Sequence, residues 1–116
     1  MNKVIVTGSR DWHDEPLLIH SLESAMPHLV IQGGAKGADY IALSWARFFD
    51  VKHVTMKANW EKFGKRAGIL RNMAMCDAYP DAHVLAFRLN SSPGTTHCIS
   101  YAREKGMHVT VYDQIL

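Results

Sequence analysis

A chain of 116 residues has room for one domain with a real core and no room for two. Hydrophobic residues make up 47% and charged residues 21%, a globular composition and not a disordered one. The net charge of +2 is too mild for a face that grips duplex nucleic acid, but it suits a small anionic ligand.

Met1–Gly8 runs straight into a short apolar strand and does not read as a signal peptide. No run approaches the roughly 18–20 apolar residues of a membrane span. Cys76 and Cys98 stand 22 residues apart without a paired-cysteine motif, so two buried or half-buried thiols are expected, with no disulfide scaffold and no zinc site. A cytoplasmic, reducing setting follows as an expectation.

Lys3–Thr7 reads as the first strand. Gly8-Ser9-Arg10 follows it and brings backbone amides, a hydroxyl and a guanidinium to one point. Arginine suits phosphate or carboxylate there because its planar fork makes two parallel hydrogen bonds. Asp14 caps the first helix, with Pro16 in its first turn and Leu17, Leu18, Leu22, Ala25 and Met26 on its buried side. Leu29–Gln32 is the second strand, an apolar run of the kind that fills a buried parallel sheet.

Gly33-Gly34-Ala35-Lys36-Gly37 comes next, and a helical pattern opens directly after it. Ala38, Ile41, Ala42, Trp45, Phe48 and Phe49 form its apolar face. Strand, glycine turn and helix bring bare backbone and a helix N-terminus up to an anion. The loop is neither a Walker A, since no Gly-Lys-Ser/Thr closes it, nor a clean G-x-G-x-x-G. A turn with glycines for packing alone is the competing reading. Asp39 in the first turn of this helix either complements the helix dipole or holds a ribose hydroxyl or the arginine loop.

Val51–Met56 is the third strand. Asn59 and Trp60 then lead into a third helix with Phe63, Ala67, Leu70 and Ala74 as its core face. Gly64, Gly68, Arg71 and Met75 share another face. Two helix glycines cost about 1 kcal/mol each relative to alanine, so a close approach must compensate. Arg71 and Asn72 are polar material that a core helix does not need, whereas Lys62, Lys65 and Arg66 read as a solvated face. His83–Phe87 is the fourth strand, Gly94-Thr95-Thr96 opens a fourth helix, and His108–Tyr112 is the fifth strand. The seven histidines are scattered without metal-site spacing, and no metal is expected. His97, two residues past Thr95, is the one nearest the site.

Five strands alternating with four helices predict an α/β, Rossmann-like three-layer sandwich. Its five-stranded parallel sheet takes the order 3-2-1-4-5 with helices on both faces. Gly8-Ser9-Arg10, Gly33-Gly34 and Gly94-Thr95-Thr96 all follow strand carboxyl ends and line one crevice.

Val6–Arg10, Gly33–Asp39, Trp45-Ala46, Ala58-Asn59-Trp60, Gly64, Ala67-Gly68, Arg71-Asn72, Met75, Ala86-Phe87 and Gly94-Thr95 together resemble the small SLOG-superfamily proteins of the YspA/YpsA-related type. The resemblance covers nearly the whole chain as a single nucleotide-binding domain, residues 1–116. It implies a ligand that is a nucleotide or derived from one, in bacteria or their phages. The wider superfamily includes LOG-type phosphoribohydrolases, which carry Pro-Gly-Gly-x-Gly-Thr-x-x-Glu. Here that glutamate position falls on Cys98, which puts hydrolysis in doubt unless Asp39, Glu61 or Asp11 serves.

The expected function is a sensor or sequestering protein. Gly8, Gly33, Gly34 and Gly94 would supply backbone, Ser9, Thr95 and Thr96 hydroxyls, and Arg10 and Arg71 charge, with Gly37, Asp39, Asn59 and Asn72 at the site. Trp60 or Phe87 would stack on a base. An N-glycosidase is the alternative. Single-stranded nucleic-acid binding through Lys62, Lys65 and Arg66 ranks third, because the net charge is low. No cofactor is expected. Homo-oligomerisation is expected from glycine-lined helices and apolar surface, and a monomer in sizing measurements would contradict it.

Overall fold

The structure is a computed structural model and describes residues 2–116. Five parallel strands are β1 (Lys3–Gly8), β2 (Leu29–Gln32), β3 (Lys52–Thr55), β4 (His83–Leu89) and β5 (Val109–Gln114), in the order β3-β2-β1-β4-β5. The expected order is therefore the observed one. Val4 pairs with Val30 on one side and His83 on the other, which makes β1 the central strand. The chain leaves β1 toward β2 and β3, then crosses back to β4 and β5. A crevice opens at such a reversal, at the strand carboxyl ends.

Alternation along the strands sorts the core into two layers. Val4, Val6, Val30, Leu85 and Phe87 face α1 (Glu15–Ala25) and α2 (Ala38–Phe48). Ile5, Ile31 and Val84 face α4 (Ala67–Ala78) and α5 (Pro93–Glu104), where Met75, Cys76, Cys98 and Ala102 complete the packing. Each strand residue named is at most 1% exposed, so the sheet is covered on both faces. No described helix is long and apolar enough to cross a membrane.

Several side chains sit differently from the periodicity-based expectation. Met26 is the left-handed C-cap of α1 (φ 48°) and is exposed, because capping turns the chain off the helix face. The buried stripe of α2 centres on Ala38, Ala42 and Ala46, and Phe48 and Phe49 at its end are exposed. The third helix is broken. A single turn, α3 (Trp60–Phe63), stops at Gly64, whose φ of 59° no ordinary L residue adopts easily, and a 3-10 turn (Gly64–Arg66) leads into α4. The break changes which face is buried. Ala67, Asn72, Met75 and Cys76 point inward, while Phe63 and Ala74 are exposed and Leu70 is half-buried. The polar stripe of Arg71 and Asn72 therefore borders the core and reaches the crevice.

Candidate functional site

A cleft of about 400 Å³ lies at the carboxyl ends of β1 and β4. Its floor is Thr7 and Gly8, one wall is α5 with Gly94 and Thr95, and the other is Trp60, Gly68, Arg71 and Asn72.

The α5 wall is built by hydroxyls. Ser9 Oγ accepts the Leu89 amide at 2.9 Å and lies 2.6 Å from Ser92 Oγ. Ser92 Oγ donates to Thr95 Oγ1 at 3.1 Å. Each hydroxyl has one proton, so Ser9 donates to Ser92, Ser92 donates to Thr95, and the Thr95 proton is left at the end of the relay. Thr96 takes no part in the cleft: it donates to the Ser92 carbonyl at 2.9 Å and accepts from Arg88 at 3.2 Å. The N-terminus of α5 has no side-chain cap, and the Gly94 and Thr95 amides find no acceptor among the described residues. A Cβ on Gly94 would meet nothing within 4 Å, so the space above it is open. Unpaired amides at the positive end of a helix, beside a free hydroxyl proton, form an anion cradle.

The turn before α2 behaves differently. Asp39 Oδ2 accepts the Gly33 amide at 3.2 Å and the Ala35 amide at 3.3 Å. Gln32 Oε1 takes the Gly34 amide, and the Gln32 amide group bonds Thr55. The Ala38 amide goes to the Ser9 carbonyl at 3.4 Å. Gly37, with φ 73°, is wedged under the Ser9 and Arg10 carbonyls, where any side chain would collide. The Gly33 and Gly34 amides, expected to face a phosphate, are thus bonded to the protein itself, and Asp39 fills the place of the anion. Burial pushes its carboxyl up to about 6, opposed by the Arg71 guanidinium, the Ala35 and Gly33 amides and Arg10.

Arg71 is held in a fixed pose. Its Nε donates to Asn72 Oδ1 at 2.8 Å, and its Nη1 donates to the Gly33 carbonyl at 2.8 Å and more weakly to Met56 at 3.4 Å. A Cβ on Gly33 would overlap the guanidinium, so this glycine makes room for an arginine and not for a ligand. Across the cleft mouth the Arg10 guanidinium lies 5.1 Å from the centre of the Trp60 ring, a cation–π contact. Trp60 rests on Gly68, where an added Cβ would meet the indole at 3.4 Å. The close approach that this helix glycine requires is therefore the tryptophan.

The cleft gathers Gly8, Ser9, Arg10, Asp39, Trp60, Arg71, Asn72, Gly94 and Thr95 of the predicted set. Gly33 and Gly34 line an adjoining cleft. Gly37 and Thr96 support these walls from behind, and Asn59 caps α3 by accepting the Lys62 amide at 3.0 Å. None of these three lines either cleft. Phe87 cannot stack on a base: it is fully buried, edge-on to Trp12 and stacked on Tyr112. His97 lines neither cleft. Cys98 is 1% exposed beside Cys76 in the core, so the position that would carry a hydrolytic glutamate holds a thiol facing apolar packing. Ser92 and Lys65 also line the cleft and escape a sequence reading. The one local signal for Ser92 is its place before Pro93-Gly94 at the start of α5, where an N-cap serine belongs.

A parallel sheet in this order, with its polar cleft at the strand carboxyl ends, defines a small Rossmann-like α/β domain. The family model of the YspA, cpYpsA-related SLOG family (YAcAr) matches residues 2–63, more than half of the chain. The chain is also 40% identical over 119 aligned positions to the Gene 61 protein of Mycobacterium phage D29, covering 94% of each. It belongs to the YspA, cpYpsA-related SLOG family. No solved structure matches it.

Proposed function

We propose that this protein binds a nucleotide or nucleotide-derived ligand in the cleft at the strand carboxyl ends, as a sensor or a sequestering protein. The observation that carries the reading is the open end of α5. The Gly94 and Thr95 amides and the Thr95 hydroxyl proton are unspent, and they face a cleft that also holds Arg10 and Arg71. A phosphoryl group gives the two amides and the hydroxyl proton the acceptor they lack, and the two guanidinium charges attract it. The half-exposed face of Trp60 supplies a surface on which a base can stack, and Lys65 adds charge at the rim.

A hydrolytic reading rests on Asp39, the carboxyl in the cleft whose affinity for a proton is raised to about 6. Its Oδ2 is committed to two turn amides, which suits a structural anchor better than a general base. Glu61 lines neither cleft.

The test is thermal unfolding with AMP, GMP, ADP-ribose, NAD and cyclic nucleotides, followed by chromatography of each mixture. A ligand present at a hundred times its Kd adds about 2.7 kcal/mol to stability. A shift with the ligand recovered intact is the expected result. Release of free base would replace the sensor reading with a hydrolytic one. No shift with any compound would remove the nucleotide reading.

A further inference from the structure

A second cleft, of about 550 Å³, adjoins the first and shares Arg10, Ala35, Trp60 and Arg71 with it. Its own lining is Gly33, Gly34, Lys36, Lys57, Ala58 and Asp11. Four cationic side chains, Arg10, Lys36, Lys57 and Arg71, thus face this space against the single carboxylate of Asp11. None of the four forms an ion pair among the described residues, whose salt bridges lie elsewhere, at Lys3–Asp81, Arg88–Asp113 and Lys105–Asp77. Arg71 and Arg10 are partly offset by the Asp39 carboxylate, but Lys36 and Lys57 add to an excess of positive charge around one concavity, and an anion in it relieves the repulsion.

The two clefts would hold an anion by different means. The first offers directed amides and a hydroxyl. In the second, the nearest backbone donors, the Gly33, Gly34 and Ala35 amides, are bonded to Asp39 and Gln32. What is left there is side-chain charge and the Lys36 amide, for which no described residue is an acceptor. Arg71 stands between the two, its Nε and Nη1 engaged by Asn72, Gly33 and Met56, with no described residue accepting from its Nη2.

We infer that the ligand carries two separated anionic groups: one phosphoryl at the α5 end, and a second held by Lys36 and Lys57 in the adjoining cleft, with Arg71 between them. The ligand class is a nucleoside with phosphoryl groups at two positions, or a short dinucleotide, and not a nucleoside monophosphate. The inference rests on the nucleotide reading above and adds the second anion to it. The second group is held mainly by side-chain charge, so its contribution is the more salt-sensitive part of binding.

Calorimetric titration with two probes that differ by one phosphate tests this: AMP and adenosine 3′,5′-bisphosphate, repeated with the guanosine pair. Each is run on the wild type and on the Lys36→Gln/Lys57→Gln variant. Both lysines are exposed, so the variant should keep the wild-type melting temperature, which is checked first. The expected result at low salt is a bisphosphate affinity at least tenfold above that of the monophosphate. The double substitution should erase that ratio and leave the monophosphate Kd within about twofold, and raising the salt toward 1 M should compress it in the wild type. Equal affinities in the wild type, or a ratio that survives loss of both lysines, would overturn the second site while leaving one-phosphate binding intact. Failure of every probe to bind would take down the nucleotide reading and, with it, this one.

Discussion

Two turns in this molecule carry a strand into a helix beside the same cleft. The turn before α2 has the richer glycine signature, Gly33-Gly34-Ala35-Lys36-Gly37, yet its first three amides are taken by Asp39 and Gln32. The turn into α5 has only one glycine, Gly94, in the helix's first turn, yet the Gly94 and Thr95 amides find no acceptor and the space over Gly94 is open. Glycine content therefore reports how closely something approaches the backbone, and not what approaches it. At Gly33 the visitor is Arg71. At Gly37 it is the backbone of Ser9 and Arg10. At Gly94 nothing stands within 4 Å of where a side chain would begin.

This contrast is sharpest at Asp39. The folded protein keeps its proton up to about 6, against the usual 3.8. Between those values the native state binds a proton that the unfolded chain does not. The stabilisation from this group is therefore complete below about pH 3.8 and is lost as pH rises through about 6, by on the order of 3 kcal/mol at about 1.4 kcal/mol per unit. Asp39→Asn has no proton to release. Urea unfolding between about pH 4 and pH 7 should show the wild type losing stability relative to the variant by that amount, and parallel curves would refute the assignment. Protonation of Asp39 also removes a negative charge from the cleft. Binding of a phosphodiester ligand, whose own charge is constant over this range, should tighten as pH falls through about 6.

Gly33→Ala comes next. Its methyl group overlaps the Arg71 guanidinium, and overpacking of this kind costs about 2 kcal/mol. Unfolding midpoints would detect the loss, and ligand affinity should fall with it because Arg71 is displaced. Thr95→Val leaves the Ser92 hydroxyl without its acceptor, at about 1 kcal/mol of stability, and deletes a donor to the phosphoryl group. Its ligand affinity should drop about tenfold, the loss of one hydrogen bond to a charged group. Gly94→Ala has the smallest effect on the fold, within about 0.5 kcal/mol of the wild type, since its Cβ meets nothing. The same methyl intrudes where the anion sits, so binding should be lost while the melting temperature holds. If Gly33→Ala and Gly94→Ala behaved alike in both assays, the two turns would not differ in the way described.

The strand order, the parallel pairing and the convergence of three loops were legible because they follow from alternation of element types and from the handedness of crossovers. The α2 face was legible as far as Trp45, although the buried Ala46 beside it was missed. It failed at Phe48 and Phe49 because periodicity does not say where a helix runs past the layer it covers. The break at Gly64 was hidden because a glycine in a helical pattern reads equally as a packing notch or as a terminator. At Asp39 the bonds go to neither partner that the sequence suggests: its carboxylate accepts the Gly33 and Ala35 amides of the turn before α2. Its bonds to the Gly33 and Ala35 amides depend on the fold of the turn, which no local pattern specifies. Ser92 and the hydroxyl relay were obscured for a related reason. They join β1 to the α5 turn across 83 residues of sequence.

The central claim is that the anion sits at α5 and not in the glycine turn before α2. Amide chemical shifts answer it most directly. In a titration with AMP followed by two-dimensional 1H–15N spectra, the Gly94 and Thr95 amides should move downfield as they acquire an acceptor, while the Gly33 and Ala35 amides, already bonded to Asp39, hold their positions. Movement of Gly33 and Ala35 with Gly94 and Thr95 unmoved would contradict the account.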